Sequence, residues 1–359
     1  MREITEAGAA QRGVRLTLPL SCRVGTSQVM LEPAHCEWLF RTAAYGAVRD
    51  GLLGMGEDAF CCLLPGVVRE RHPSVLCLAS LVLELRDARG RVVSRTDVPA
   101  EAFAPFVEAR AARLWVQTGQ ETTDAPLGRL DFSLHAGPEV EEPFPVTVPR
   151  LPAVSFGTLD LTSTVGEPDR DWVATVISPA VVEGFDALEA VSRAHGVESA
   201  GRIHGHLGFD PDRRCFVRLL ERLVVTKQTE ASATAVVSSA ASWGEFLGSV
   251  PGDGPTAASH VHTHLHLRRT ETAPGSADQA GLDPTAGPII SIDDRITHLV
   301  NYPDTLSASL VLSLYEDRRV LNVYGYAADG RLREEPGWFL SDTSASHDSS
   351  RHPMKEVHP

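Results

Sequence analysis

In the second half of the chain the spacing of apolar residues changes from one segment to the next, and each spacing predicts a helix or a strand. The run 172–177 is almost wholly apolar, as expected for a buried strand. Between Pro179 and Gly196 the apolar residues recur at helical spacing, which predicts an amphipathic helix with proline in its first turn and glycine at its end. Two hairpins are predicted beyond this helix, turning at residues 210–213 and 316–318.

The first 135 residues also mix helical and extended patterns. Apolar positions recur at helical spacing between Pro33 and Gly51, which predicts a helix. Residues 58–68 and 75–86 read as apolar strands, and the second of them continues into a hairpin that turns at residues 87–90. Residues 14–30 are predicted to hold one or two strands, residues 100–116 a short helix, and residues 118–135 a polar hairpin.

Composition along the chain predicts how these elements are grouped. The stretch 136–171 begins with a segment rich in proline and glutamate, which indicates a linker and lead-in between two folded parts. We therefore expect a mixed α/β (α+β) protein in which a separate N-terminal α+β domain, residues 1–135, precedes a second domain over 172–338. Residues 339–359 are polar and are predicted to form a disordered tail.

Charge and apolar content exclude several classes of partner. The 359 residues carry 33 basic and 47 acidic side chains, a formal charge of -14, which disfavours binding to nucleic acid. No apolar run is long enough for a membrane span or a signal-peptide core. None of the six cysteines forms a CxxC pair, so they are expected to be small buried side chains in a cytoplasmic protein.

Four histidines alternate in the segment Ser259–His266. Alternate residues of a strand point to one face, so these side chains can project together. Two imidazoles at positions i and i+2 lie at a separation that one zinc ion can bridge. A solvated, histidine-rich strand edge is the alternative interpretation of the same pattern.

Two further segments carry residues suited to a metal site. Ser291 and Asp294 form an S-x-x-D pattern at the start of a predicted helix, where the same spacing is also a capping pattern. Glu198 follows the amphipathic helix and opens an E-x-x-G-x-x-x-G pattern with Gly201 and Gly205. Taken alone, this glutamate reads as a surface carboxylate between a helix and a strand.

The order of these three patterns resembles the JAMM signature of the JAB/MPN metalloprotease family. The resemblance covers residues 172–338 and implies a JAB/MPN-like mixed sheet flanked by helices. Family members place Ser or Thr between the two ligand histidines, which only Thr263 satisfies here. The resemblance therefore implies His262, His264 and Asp294 as zinc ligands. His260, one strand pair deeper, and His298, four residues after Asp294 on the predicted helix, are expected beside the ligands and not bound to the metal.

The resemblance also implies an activity, namely zinc-dependent hydrolysis of a peptide or isopeptide bond at the C-terminus of a ubiquitin-like modifier. Glu198 would act as general acid and base, because a carboxylate beside the metal can accept and return the proton of the attacking water. Ser291 would donate a hydrogen bond to the developing oxyanion.

The chain departs from the family pattern in two places. Leu265 stands where family members have proline, and residues 265–290 form an insert, predicted as a loop, before Ser291. A non-catalytic MPN scaffold that assembles protein partners is therefore the main alternative. An amidohydrolase barrel fits less well, because its H-x-H lies near the start of a long barrel with further ligands after it, whereas this one lies late in the chain. An H-x-T phosphoesterase would need a second matching motif, which is not found.

Overall fold

We describe a computed structural model of the chain. The structure describes residues 20–24, 27–31, 36–72, 75–103, 132–136, 144–169, 171–226, 228–231, 236–238, 256–265, 304–316 and 318–342, together with residues 246, 294 and 298.

The N-terminal part contributes two antiparallel sheets and one helix to the described residues. Helix α1 spans Glu37–Arg49 and ends where Gly51 takes a positive φ of 70°. The strands are β1 (Leu20–Val24), β2 (Ser27–Leu31), β3 (Asp58–Pro65), β4 (Val68–His72), β5 (Val75–Leu78), β6 (Ser80–Asp87), β7 (Val92–Pro99), β8 (Phe132–Ala136) and β9 (Phe144–Thr147). One sheet has the order β2-β1-β8-β5-β4 and the other the order β7-β6-β3-β9.

A nine-stranded mixed sheet dominates the described residues of the C-terminal part. The elements of this part with described bounds are eleven strands and one α-helix. These are β10 (Leu161–Gly166), β11 (Val173–Ile177), α2 (Pro179–His195), β12 (Ala200–Asp210), β13 (Cys215–Val225), β14 (Gln228–Ala231), β15 (Val236–Ser238), β16 (Thr256–Leu265), β17 (Ala308–Leu314), β18 (Arg319–Tyr326), β19 (Leu332–Glu334) and β20 (Gly337–Ser341). The order is β10-β20-β11-β13-β12-β16-β17-β18-β19, with β14 and β15 forming a separate pair.

Helix α2 packs against one face of this sheet. Its buried side chains, Val181, Phe185 and Leu188, recur at helical spacing and contact the apolar residues of the central strands. Gly196 ends the helix in the left-handed conformation with φ 64°, which a glycine adopts without steric cost. The other face carries a smaller apolar cluster around Phe156 and Phe339, so β11 is buried at all five positions.

Helix α1 connects the N-terminal part to the nine-stranded sheet. It packs on β6, β7 and β9, while its Tyr45 ring makes an edge contact with Phe216 of β13. The indole N–H of Trp38 donates to the carbonyl of Gly330 at 3.0 Å. Residues from both parts therefore belong to one continuous apolar core.

The observed mixture of strands and two described helices confirms the predicted α+β class. The span 136–171, predicted as linker and lead-in, holds β9 and β10, which pair with β3 and β20. The boundary of the tail at residue 339 is wrong: Phe339 is buried within β20, because its ring packs against Phe156. The division into two domains stays a prediction.

Three other expectations concern the burial of the cysteines, membrane-spanning helices and the segments that the structure does not describe. Cys36, Cys61, Cys62 and Cys215 are all buried, which agrees with their interpretation as small core side chains. Burial raises the pKa of Cys215 to about 11. Neither helix of the described part combines the length with the apolar character that crossing a bilayer demands. The predicted elements over 104–131 and the insert beyond Leu265 lie outside the described residues.

Candidate metal centre

Strand β16 holds the two central histidines in the interior of the sheet. It pairs antiparallel with β12 and parallel with β17, which places His262 opposite Ala200 on one side and Val311 on the other. Because side chains alternate along a strand, His262 and His264 project from the same face. Hydrogen bonding on both sides of the strand fixes the backbone that carries them.

Asp294 meets these two histidines from a distant segment. The Nε2 atoms of His262 and His264 are 2.9 Å apart. The Asp294 carboxylate places Oδ1 3.0 Å from the first Nε2 and Oδ2 3.5 Å from the second. Ligand atoms around a tetrahedral zinc ion lie roughly 3.3–3.6 Å apart, given metal–ligand bonds of about 2.0–2.2 Å. The three observed distances are close to that geometry, so this group could hold a metal ion.

The group is compact and opens partly to solvent. Its ligand atoms all lie within 4.8 Å of one another, and no other set of three His, Cys, Asp or Glu in the described part of the chain is so close. The His262 side chain is almost fully covered, whereas those of His264 and Asp294 are 18% and 17% exposed. This combination leaves one side from which a water molecule or a substrate can approach.

Glu198 is buried next to this group, with only 6% of the residue exposed. Burial raises the pKa of its carboxyl to about 7; the negative charge of Asp294 raises it further, and His264 opposes the shift. A carboxyl that titrates near neutrality can both accept and donate a proton at physiological pH. Glu198 lies two residues beyond Gly196, so the end of α2 determines where the chain turns towards the site.

His260 lies behind His262, away from the ligand atoms. Its Nε2 atom is 2.9 Å from the hydroxyl of Ser309 on β17, and its ring is stacked on that of His262 at 6.1 Å with an angle of 11°. Complete burial, together with the positive charges that His298 and His262 would carry, lowers the pKa of His260 well below its ordinary value. This imidazole is therefore neutral at physiological pH.

His298 extends this row of rings into the core. Its centroid is 5.8 Å from that of His260 and 5.3 Å from that of Tyr326. Burial lowers the pKa of His298 to about 3, so it too is a neutral aromatic group. His298 and Asp294 both have helical conformation and are four positions apart, the spacing of one helical turn.

The structure thus brings together four of the five residues predicted for the metal-binding and catalytic roles. These are His262, His264, Asp294 and Glu198. Ser291, the fifth, lies outside the described residues, as does His266.

Sequence reasoning missed the buried hydroxyl groups on the opposite face of β16. Thr263, Ser192 and Ser199 are within hydrogen-bond distance of one another there. One signal was present, because Ser192 follows Leu188 by four residues and so occupies a position on the apolar face of α2.

The chain matches no family model, and no curated protein matches it. The geometry of the histidine and carboxylate cluster, together with the spacing of its motifs, therefore carries the functional argument.

Proposed function

We propose that the chain is a zinc-dependent metallopeptidase of the JAMM type with a JAB/MPN-like fold in its C-terminal part. The observation that supports this most strongly is the group His262, His264 and Asp294, with the buried carboxyl of Glu198 beside it. Two imidazole nitrogens and one carboxylate oxygen are a donor set that suits zinc. Three protein ligands also leave a fourth position for water or substrate, as catalytic zinc sites require.

The reaction we propose is hydrolysis of a peptide or isopeptide bond at the C-terminus of a ubiquitin-like modifier or its conjugate. When bound, zinc supplies Lewis-acid activation of water and polarises the scissile carbonyl. Glu198 accepts the proton of the attacking water and returns it to the leaving amine. Its pKa of about 7 suits both steps, because the group is neither strongly basic nor strongly acidic near neutrality.

The remaining residues of the site bind or orient. His260 and His298 are neutral and pack behind His262, so they support the ligands without adding charge. Ser291 is assigned the role of donating a hydrogen bond to the oxyanion, which in comparable sites contributes about 3 kcal/mol. The substrate tail is proposed to bind in an extended conformation beside the sheet.

The test uses the zinc-loaded protein and fusions in which a ubiquitin-like C-terminus is joined to a reporter through a peptide or an isopeptide bond. The wild type is expected to cleave at that junction, and Glu198→Gln is expected to bind zinc normally while its turnover falls by about 10²–10⁴-fold. Glu221→Gln is the matched control, because this carboxylate bonds His206 on the same sheet and is no part of the site.

A zinc-loaded wild type that cleaves none of these fusions would favour the alternative, a non-catalytic MPN scaffold. Cleavage that persists unchanged in Glu198→Gln would remove this glutamate from the mechanism.

A further inference from the structure

Three hydroxyl groups meet on the side of β16 opposite the ligand histidines. Thr263 lies between His262 and His264, so the alternation of a strand points its side chain to the face that α2 covers. Ser192 belongs to the last turn of α2, and Ser199 follows Glu198 directly in the chain. All three hydroxyl side chains are buried, with no exposed surface.

Ser199 and Thr263 make only one of the two backbone hydrogen bonds of a regular antiparallel pair, and a side chain replaces the other. The pairing of β12 with β16 ends at Ala200 opposite His262, and the next pair in the same register is Ser199 with Thr263. The N–H of Thr263 donates to the Ser199 carbonyl at 2.9 Å, as in a regular antiparallel pair. The N–H of Ser199, however, donates to the hydroxyl of Thr263 at 2.8 Å. A side chain has thus taken the place of a backbone carbonyl at the residue that follows Glu198, just before β12 begins at Ala200.

The three hydroxyl groups form a chain of hydrogen bonds. Ser199 donates its hydroxyl to the carbonyl of Leu188 at 2.9 Å, which leaves its oxygen free to accept. The Ser192 hydroxyl is 2.8 Å from that of Ser199 and 2.8 Å from that of Thr263, so it can donate to one and accept from the other. Buried polar groups are stable only when they are paired, and in this arrangement all three are paired. The chain of bonds therefore fixes Ser199 to both the helix and the strand.

We infer that Thr263 is a positioning residue for the general acid and base of the site. Its backbone joins His262 to His264, and its hydroxyl holds the residue that directly follows Glu198. This hydrogen bond therefore helps to fix the position of the Glu198 carboxyl relative to the ligand pair. The inference rests on the proposed function, in which displacing a reacting group by about 1 Å can cost about 10²-fold in rate.

The decisive variant is Thr263→Val, which keeps the branched shape and removes the hydroxyl. Thr263→Ser keeps the hydroxyl and serves as the rescue. Ser259→Ala is the matched control, because Ser259 lies on the same strand and face, is also fully buried, and accepts a backbone N–H from Ala308 at 3.2 Å. It lies four residues from Thr263.

Turnover of the fusion substrate and zinc content are measured on each zinc-loaded variant. Thr263→Val is expected to bind as much zinc as the wild type and to keep its KM, while kcat falls about 10²-fold. Thr263→Ser and Ser259→Ala are expected to keep the wild-type kcat. A wild-type kcat in Thr263→Val, or an equal loss in Ser259→Ala, would overturn the positioning role.

A second measurement does not depend on activity. Hydrogen exchange of the Ser199 amide in the metal-free protein is expected to be at least about tenfold faster in Thr263→Val, because its acceptor is gone, and unchanged in Ser259→Ala. If the zinc-loaded wild type cleaves nothing, the proposed function fails, and this exchange comparison decides only whether the Thr263 hydroxyl holds the residue that follows Glu198. Exchange as slow as in the wild type would overturn it.

A variant that does not fold would leave the rate comparison open. If Thr263→Val fails to fold, Ser192→Ala replaces it, since this change removes the partner of the Thr263 hydroxyl without leaving a backbone N–H unpaired. A loss of about tenfold in kcat with zinc retained is then expected, because the network is only loosened. An unchanged kcat in Ser192→Ala would overturn the inference.

Discussion

The raised pKa of Glu198 gives the metal-free protein a specific dependence of stability on pH. The carboxyl is buried, so its pKa is about 7 in the folded protein against an ordinary value of 4.5. Between these two values the folded state binds a proton that the unfolded state has released. The free energy of unfolding contributed by this group is therefore fully present below about pH 4.5 and is lost as pH rises to about 7.

The size of the effect follows from the interval between the two pKa values. Each pH unit is worth about 1.4 kcal/mol, so the loss amounts to about 3 kcal/mol. Glu198→Gln carries no ionisable group at this position and should not show this loss. We therefore expect the unfolding free energy of the variant, relative to that of the wild type, to rise by about 3 kcal/mol between pH 4.5 and pH 8.

The assay is urea unfolding of both proteins at a series of pH values, with a chelator present so that no metal binds. Other groups also titrate in this range, notably the buried His260 and His298, whose lowered pKa values destabilise the fold in acid. They contribute equally to both proteins, so the difference between the two curves isolates Glu198. If the difference in unfolding free energy between the two proteins stays constant from pH 4.5 to pH 8, the pKa of Glu198 is not raised by burial and the reasoning is refuted.

Three further predictions concern the support of the site. His298→Phe should retain zinc, whereas His298→Ala should weaken zinc affinity about tenfold, measured by competition with a chelator, because the row of rings next to Asp294 is interrupted. Arg218→Met should destabilise by about 3–5 kcal/mol in urea unfolding, because it leaves Glu335 and the Leu306 carbonyl without their buried partner. Arg218→Met with Glu335→Gln should recover part of that loss, and no recovery would exclude the ion pair as its main source.

Among the described residues, local patterns were sufficient to predict α1, α2 and most central strands. Helix α2 ends at Gly196 as expected, and the hairpin of β12 and β13 turns over residues 211–214, one residue later than predicted. These elements depend on the period of apolar residues and on turn chemistry, both of which are properties of short segments. Strand β20 was missed because its partners, β10 and β11, lie more than 150 residues earlier in the chain.

The sequence predicted which residue types form the site, but not how they meet. Alternation along β16 places His260, His262 and His264 on one face, so it cannot separate them. The structure separates them by depth, with His260 against Ser309 and His264 next to Asp294. The burial of Glu198 depends on the packing of α2 and β12 around it. Its pKa could therefore not be inferred from the sequence.

The contact between the Thr263 and Ser199 side chains could not be predicted from the sequence either. Thr263 was recognised only as the residue between two candidate ligands. That it pairs with Ser199 follows from the register of β12 on β16, which sets the two chains opposite each other. Register is fixed by the fit of whole strands, and a short motif does not specify it.

The most direct test of the central claim is the zinc content of the purified protein by elemental analysis. The account predicts about one zinc per chain in the wild type and in His260→Gln, and none in His264→Ala, since a catalytic-type site loses its metal with a ligand. A well-folded wild type that takes up no zinc when it is added, or a His264→Ala variant that keeps its zinc, would contradict the assignment of His262, His264 and Asp294 as the metal site.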